Sequence, residues 1–174
     1  MTVTENALVP ALGTQRRGLA PILWEDADVP QPPYILSSDG SVREGQTVHA
    51  GELPALHDLE GIDLTFVRID HQARLQFGKT EIVIETPFEL TVEGAVRLLD
   101  PGQRANLGPL LALYPATLTA ASVDPDLTLR LSFDGAAAIA VPQHPHYESW
   151  HIVGPDSRLI VCPPAGNGTL SVWR

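Results

Sequence analysis

The densest run of chemically capable side chains is His144-Pro145-His146-Tyr147-Glu148-Ser149-Trp150-His151. Residues two apart on a strand point the same way, so His144 and His146 can face one metal ion with Glu148 as a third ligand. Pro145 between them works against regular strand geometry. The spacing also departs from the His-x-His and more distant Glu of cupin-type metal sites. The same residues admit acid/base chemistry, because a carboxylate beside an imidazole fixes its tautomer. The nearest nucleophiles are Ser149 and Cys162. Cys162 follows Leu159-Ile160-Val161 and precedes two prolines, the pattern of a buried thiol at a strand end, whereas a reactive thiol needs a positive setting. The chain has no Ser-His-Asp signature, dinucleotide fingerprint or zinc-finger spacing, and the Pro163–Gly168 loop lacks the order of a phosphate cradle. No catalytic residue and no cofactor is assigned, and His144, His146 and Glu148 stand as metal-site candidates.

The elements that must position these residues are written twice. Leu64-Thr65, Asp70, Arg74-Leu75-Gln76-Phe77-Gly78, Ile82-Val83-Ile84 and Glu89 form one series. Leu118-Thr119, Asp124, Arg130-Leu131-Ser132-Phe133, Gly135, Ile139-Ala140-Val141 and Glu148 form the second. The pattern predicts a duplicated strand–turn–strand unit over about 62–92 and 116–153. Glu89 then corresponds to Glu148, Arg74 to Arg130 and Asp70 to Asp124, a repetition that favours Arg–carboxylate pairs and turn caps. Alternating Arg74–Phe77 and β-branched Ile82–Ile84 read as strands. Leu107, Leu110, Leu111 and Tyr114 predict one short helix over about 104–113, ended before Pro115. Tyr147–Val153 reads as a strand with His146, Glu148, Trp150 and Ile152 on one face, followed by Arg158–Cys162 and Leu170–Trp173. These last segments have no evident counterpart after the first copy.

Residues 1–57 read as an N-terminal extension, partly disordered or a docking arm, and 58–174 as the β-rich core domain. Tyr34–Arg43 can form a small hairpin through Asp39-Gly40. Trp24 and Tyr34 are the extension's expected anchors, and Trp150 is a third candidate for contact with a partner. Trp150 and Trp173 otherwise belong in the core.

The 174 residues carry 11 Lys and Arg against 21 Asp and Glu, a net charge of −10. Nucleic-acid binding needs cations to neutralise phosphate, so it is not expected, nor is an anionic membrane surface. A basic protein partner is permitted, and a solvated acidic surface is the commoner meaning of such a charge. One cysteine fits a reducing cytoplasm, and no stretch is long enough for a transmembrane helix.

Tyr147-Glu148-Ser149-Trp150, Gly154-Pro155, Leu159-Ile160-Val161-Cys162-Pro163-Pro164 and Leu170-Ser171-Val172-Trp173 resemble an uncharacterised actinobacterial family, one of the numbered domains of unknown function. Its members end in a Tyr-Glu-x-Trp, Gly-Pro, Val-Cys, Gly-Gly, Val-Trp series. Ile69-Asp70 to Phe77 and Thr86-Pro87-Phe88 are similar too, so the resemblance spans about 59–174. Pro164–Gly168 departs from the family's plain glycine-rich run, and the first 57 residues are additional. The resemblance implies a compact, mostly β, cytoplasmic actinobacterial protein and carries no activity.

The expected fold is mainly antiparallel β, a partly open barrel or sandwich built from two related hairpin units with one short helix. The expected function is a non-enzymatic acidic interaction module, such as an inhibitor, immunity-type protein or adaptor. A small-ligand or metal-dependent enzyme using His144, His146 and Glu148 is the second reading. An architectural subunit is the third, since exposed strand edges allow a homodimer.

Overall fold

The computed structural model describes residues 34–36, 42–50, 53–166 and 168–173. All lie within one compact unit, Gln31–Arg174. The strands are β1 (Tyr34–Leu36), β2 (Val42–Glu44), β3 (Gln46–Val48), β4 (Leu64–Ile69), β5 (Ala73–Phe77), β6 (Thr80–Ile84), β7 (Phe88–Val92), β8 (Ala95–Leu99), β9 (Leu118–Val123), β10 (Leu129–Phe133), β11 (Ala138–Val141), β12 (Trp150–Val153), β13 (Leu159–Val161) and β14 (Leu170–Trp173). β1 and β2 pair as the expected hairpin. The rest form two open antiparallel sheets, β3-β14-β13-β12-β6-β5-β4 and β8-β7-β11-β10-β9. Neither closes into a barrel, and one hydrophobic core takes side chains from both, a sandwich-like arrangement.

Each copy of the sequence repeat is a three-stranded meander, β4-β5-β6 in the larger sheet and β9-β10-β11 in the smaller. Alternation sets their faces: Ala73, Leu75 and Phe77 are buried while Arg74 and Gln76 point outward, and Leu129, Leu131 and Phe133 repeat the pattern around Arg130 and Ser132. Phe77 and Phe133, equivalent residues, stack on each other with ring centroids 6.2 Å apart. The approaches to the two meanders pair as well. Gly61 N–H donates to the Leu118 carbonyl, Leu118 N–H to Ile62, and Asp63 bridges Thr117, its counterpart at an offset of 54 residues.

The duplication runs further than the sequence pattern indicates. After β6 the chain crosses to the other sheet, where β7 pairs with β11; after β11 it crosses back, where β12 pairs with β6. β7-β8 and β12-β13 are therefore equivalent hairpins, and within the two larger sheets β14 and β3 are the strands without counterparts. Glu93 (φ 51°) and Gly94 (φ 78°) make the left-handed two-residue turn that closes β7-β8.

Strand register also corrects one equivalence. Leu90 lies opposite Ile139 and Ile152 opposite Ile82, while Glu89 faces Ala140 and His151 faces Val83. Glu89 thus corresponds to His151, and Glu148 precedes β12. The Arg pairs do repeat: Arg74 Nε lies 3.4 Å from Asp70, and Arg130 Nε contacts Asp124.

The helix stands at Arg104–Leu113 but is 3₁₀ in form. Gly108 and Pro109 interrupt α-helical bonding, and the tighter turn buries Leu107, Leu110 and Leu113 at spacing three instead of the expected Leu111 and Tyr114. Its counterpart, Pro54–Leu59, is also 3₁₀ and buries Leu56 and Leu59. Among the described residues no helix is long and apolar enough to cross a membrane.

Candidate functional site

The two crossovers between sheets differ in length. The first, 85–87, is short; the second, 142–149, holds the His144–Glu148 run as surplus. The expected strand over Tyr147–Val153 starts only at Trp150, because a tight loop occupies the preceding residues. The loop is closed by the His144 N–H, which donates to Ser149 Oγ at 2.6 Å, and by the His146 N–H, which donates to His144 Nδ1 at 3.1 Å. Ser149 is fully buried and joins both crossovers. Its carbonyl accepts the Glu85 N–H at 2.9 Å and the Thr86 hydroxyl at 3.5 Å. The Ala165 N–H, donating to the His144 carbonyl at 3.0 Å, ties the loop to the next one.

Between the crossovers lies an open cleft of about 580 Å³, lined by Glu85, Thr86, Pro87, Asp100, His144, Tyr147 and Glu148. His144 and Tyr147 form its aromatic wall, stacked at 5.1 Å between centroids. Tyr147 is 67% exposed, a large solvent-facing ring. Asp100 is held at the far side by the Gly102 N–H and the Gln103 side chain.

Beneath the cleft, His151 Nδ1 and Glu85 Oε1 are 2.7 Å apart. That hydrogen bond holds the Glu85 carboxyl below its usual range, against the opposing effect of burial. Glu148 moves the other way. Partial loss of water and the nearby Glu85 charge raise it, with His151 opposing. The cleft therefore holds one carboxylate, Glu85, shifted toward ionisation and another, Glu148, shifted toward protonation.

His144 and Glu148 both line this cleft, whereas His146 is exposed and meets His144 edge to face at 6.1 Å. Among the described residues no three His, Cys, Asp or Glu side chains are grouped to hold a metal ion. Trp150 is fully buried, its indole N–H donating to the Leu127 carbonyl at 3.1 Å, so it is a core residue inaccessible to a partner. Cys162 is buried and its thiol is pushed up to about 12 by desolvation, which leaves it without nucleophilic character. Trp24 lies outside the described residues, and of Tyr34 only its place at the start of β1 is described. Sequence reasoning missed Glu85, Asp100 and the pairing of His151. Glu85 and His151 are 66 residues apart and meet only through the β6–β12 register.

Residues 55–174 match DUF6188, a family of unknown function. The chain belongs to this family. The matched region includes both meanders, both crossovers and every residue lining the cleft. No curated protein and no solved structure matches the chain.

Proposed function

We propose that this member of the family is a non-enzymatic acidic recognition module, an inhibitor, immunity-type protein or adaptor in the cytoplasm of an actinobacterium. Its partner is a basic protein that places a lysine or arginine side chain in the cleft. The observation that carries this reading is that three carboxylates, Glu85, Asp100 and Glu148, line one cleft, where the Glu85 charge helps to raise the carboxyl of the exposed Glu148. An ammonium or guanidinium group entering there would relieve that repulsion. The stacked His144 and Tyr147 rings offer it a π face, and Asp100 and Glu85 offer charge-assisted acceptors. The net charge of −10 speeds encounter with a cationic partner.

Affinity purification of the tagged protein from its host, with mass spectrometry and metal analysis of one eluate, tests the reading. A stoichiometric basic partner, lost when Glu85 and Glu148 are both changed to Gln, is expected. Its retention by that double variant refutes the cleft as the contact.

A second reading rests on a different feature. Glu85 and Glu148 flank His151 with proton affinities pushed in opposite directions, the arrangement that assigns acid and base roles in hydrolytic sites. A stoichiometric metal or a co-purifying small molecule in the eluate, without a protein partner, favours that reading and directs mutation to Glu85, Glu148 and His151.

A further inference from the structure

The helix–strand junctions of the two halves bury equivalent residues yet differ in their exposed ones. At the offset of 54 residues that relates Asp63 to Thr117, Leu56 matches Leu110, Leu59 matches Leu113 and Leu64 matches Leu118, all buried. The 3₁₀ helix of each half packs on the outer strand of the other half, Pro54–Leu59 on β9 and Arg104–Leu113 on β4. On the β9 side the exposed positions hold Ala120, His57 and Glu60, and His57 Nδ1 lies 3.1 Å from Glu60 Oε1. On the β4 side the equivalent positions hold Phe66, Leu111 and Tyr114.

These three side chains are 54%, 55% and 57% exposed. With Thr65 and Val67 they line an apolar groove of about 330 Å³. The fold does not require them, because the other half makes the same helix–strand contact with polar residues. Exposing three large apolar groups on one edge marks a contact surface.

We infer that β4 and this groove are the interface through which two copies of the chain form a symmetric dimer. β4 ends the larger sheet; its first residue, Leu64, donates its N–H to the Ala116 carbonyl, and among the described residues no strand pairs with the outer side of 66–69. Its sequence is self-complementary in the antiparallel register centred on Val67. There Val67 meets Val67 of the second copy. Phe66 meets Arg68 twice over, an aromatic ring against a guanidinium each time. Charge permits the approach here despite the net charge of −10. At this edge Arg68 lies 3.0 Å from Asp70 and offsets its charge. Leu111 and Tyr114 then cover the Phe66 ring of the apposed strand. The dimer is independent of the cleft, which sits at the sheet crossovers.

Sedimentation equilibrium on the full chain across a concentration series tests this, with Phe66→Glu, Leu111→Glu and Leu98→Glu compared. Leu98 is 72% exposed on β8, the edge of the other sheet, and serves as the control. The expected result is a wild-type dimer, a dissociation constant raised at least about tenfold in each of the first two variants, and no change in Leu98→Glu or in Glu148→Gln. Circular dichroism and thermal melts verify that the variants are folded. A wild-type chain that stays at monomer mass throughout overturns the inference. So does a dimer that survives both groove variants, or one lost in Leu98→Glu.

Discussion

Glu85 and Glu148 share one cleft, and replacing each with Gln is expected to change stability in opposite directions. The Glu85–His151 contact is a charged hydrogen bond of 2.7 Å between side chains that remain 27% and 19% exposed. A buried bond of this kind contributes ~1.5–3 kcal/mol, an exposed one well under 1, so loss of the pair by Glu85→Gln costs about 1 kcal/mol. In a chain of this size that lowers the melting temperature by about 2–4 °C. Glu148→Gln removes a charge that its surroundings disfavour and raises stability at pH 7. The pH dependence separates the two effects. Glu85 is lowered on folding from its ordinary 4.5, so its contribution is present above that value and lost as pH falls through the folded one. Glu148 is raised on folding from its ordinary 4.5. The cost of ionising it is present above its folded value and vanishes as pH falls below 4.5, so the gain in Glu148→Gln fades there. Urea denaturation at pH 7 and pH 4 reads both. A Glu148→Gln variant less stable than wild type at pH 7, or a Glu85→Gln variant unchanged there, refutes the account of the cleft as a site that holds excess negative charge.

Ser149→Ala leaves the His144 N–H without its acceptor in a buried setting, at a cost of about 1–3 kcal/mol, and denaturant midpoints read that loss. The Cys162 thiol does not react with a disulfide reagent at pH 8 in the native protein and reacts once on unfolding, because its folded pKa is about 12; rapid native-state modification refutes its burial. Arg74→Leu costs about 1–2 kcal/mol, since its guanidinium is only 24% exposed and serves Glu81, Asp70 and Gln72. Arg130→Leu costs under about 0.5 kcal/mol, its side chain being 55% exposed. Paired thermal melts compare the two.

The strands were legible because half-buried sheets impose a period of two, and Ala73–Phe77 and Leu129–Phe133 keep it cleanly. The short helix was legible in extent but not in face. Leu107, Leu110 and Leu113 lie at the spacing of three that a 3₁₀ helix selects, and Gly108-Pro109 is the local sign of it. The candidate site was legible only in part. His144 and Glu148 are close in sequence and the loop keeps them together. Glu85, Asp100 and His151 join them through strand register and sheet crossovers, which depend on pairings across the duplication. The equivalence of Glu89 with His151 was hidden for the same reason: the longer second crossover displaces everything after it.

Duplication supplies an internal control on which residues the fold demands. Where both halves must fill the core, they carry the same or similar side chains, as at Leu64 and Leu118, Phe77 and Phe133, and Ile82 and Ile139. Where a side chain faces solvent, the simplest outcome is a polar residue in both halves, as at Arg74 and Arg130. Two places follow neither pattern. One crossover gained the His144–Glu148 loop, with an exposed Tyr147 and a carboxylate that its surroundings push toward protonation. One helix–strand junction carries Phe66, Leu111 and Tyr114 where its twin carries Ala120, His57 and Glu60. Neither departure is required by packing, and the Glu148 carboxyl is raised by partial burial and the Glu85 charge. Groups that packing does not call for are where a binding surface is to be sought. The two places are chemically unlike, one anionic and aromatic, the other apolar. They therefore suit two different occupants, a cationic partner at the crossovers and a second copy of the chain along β4.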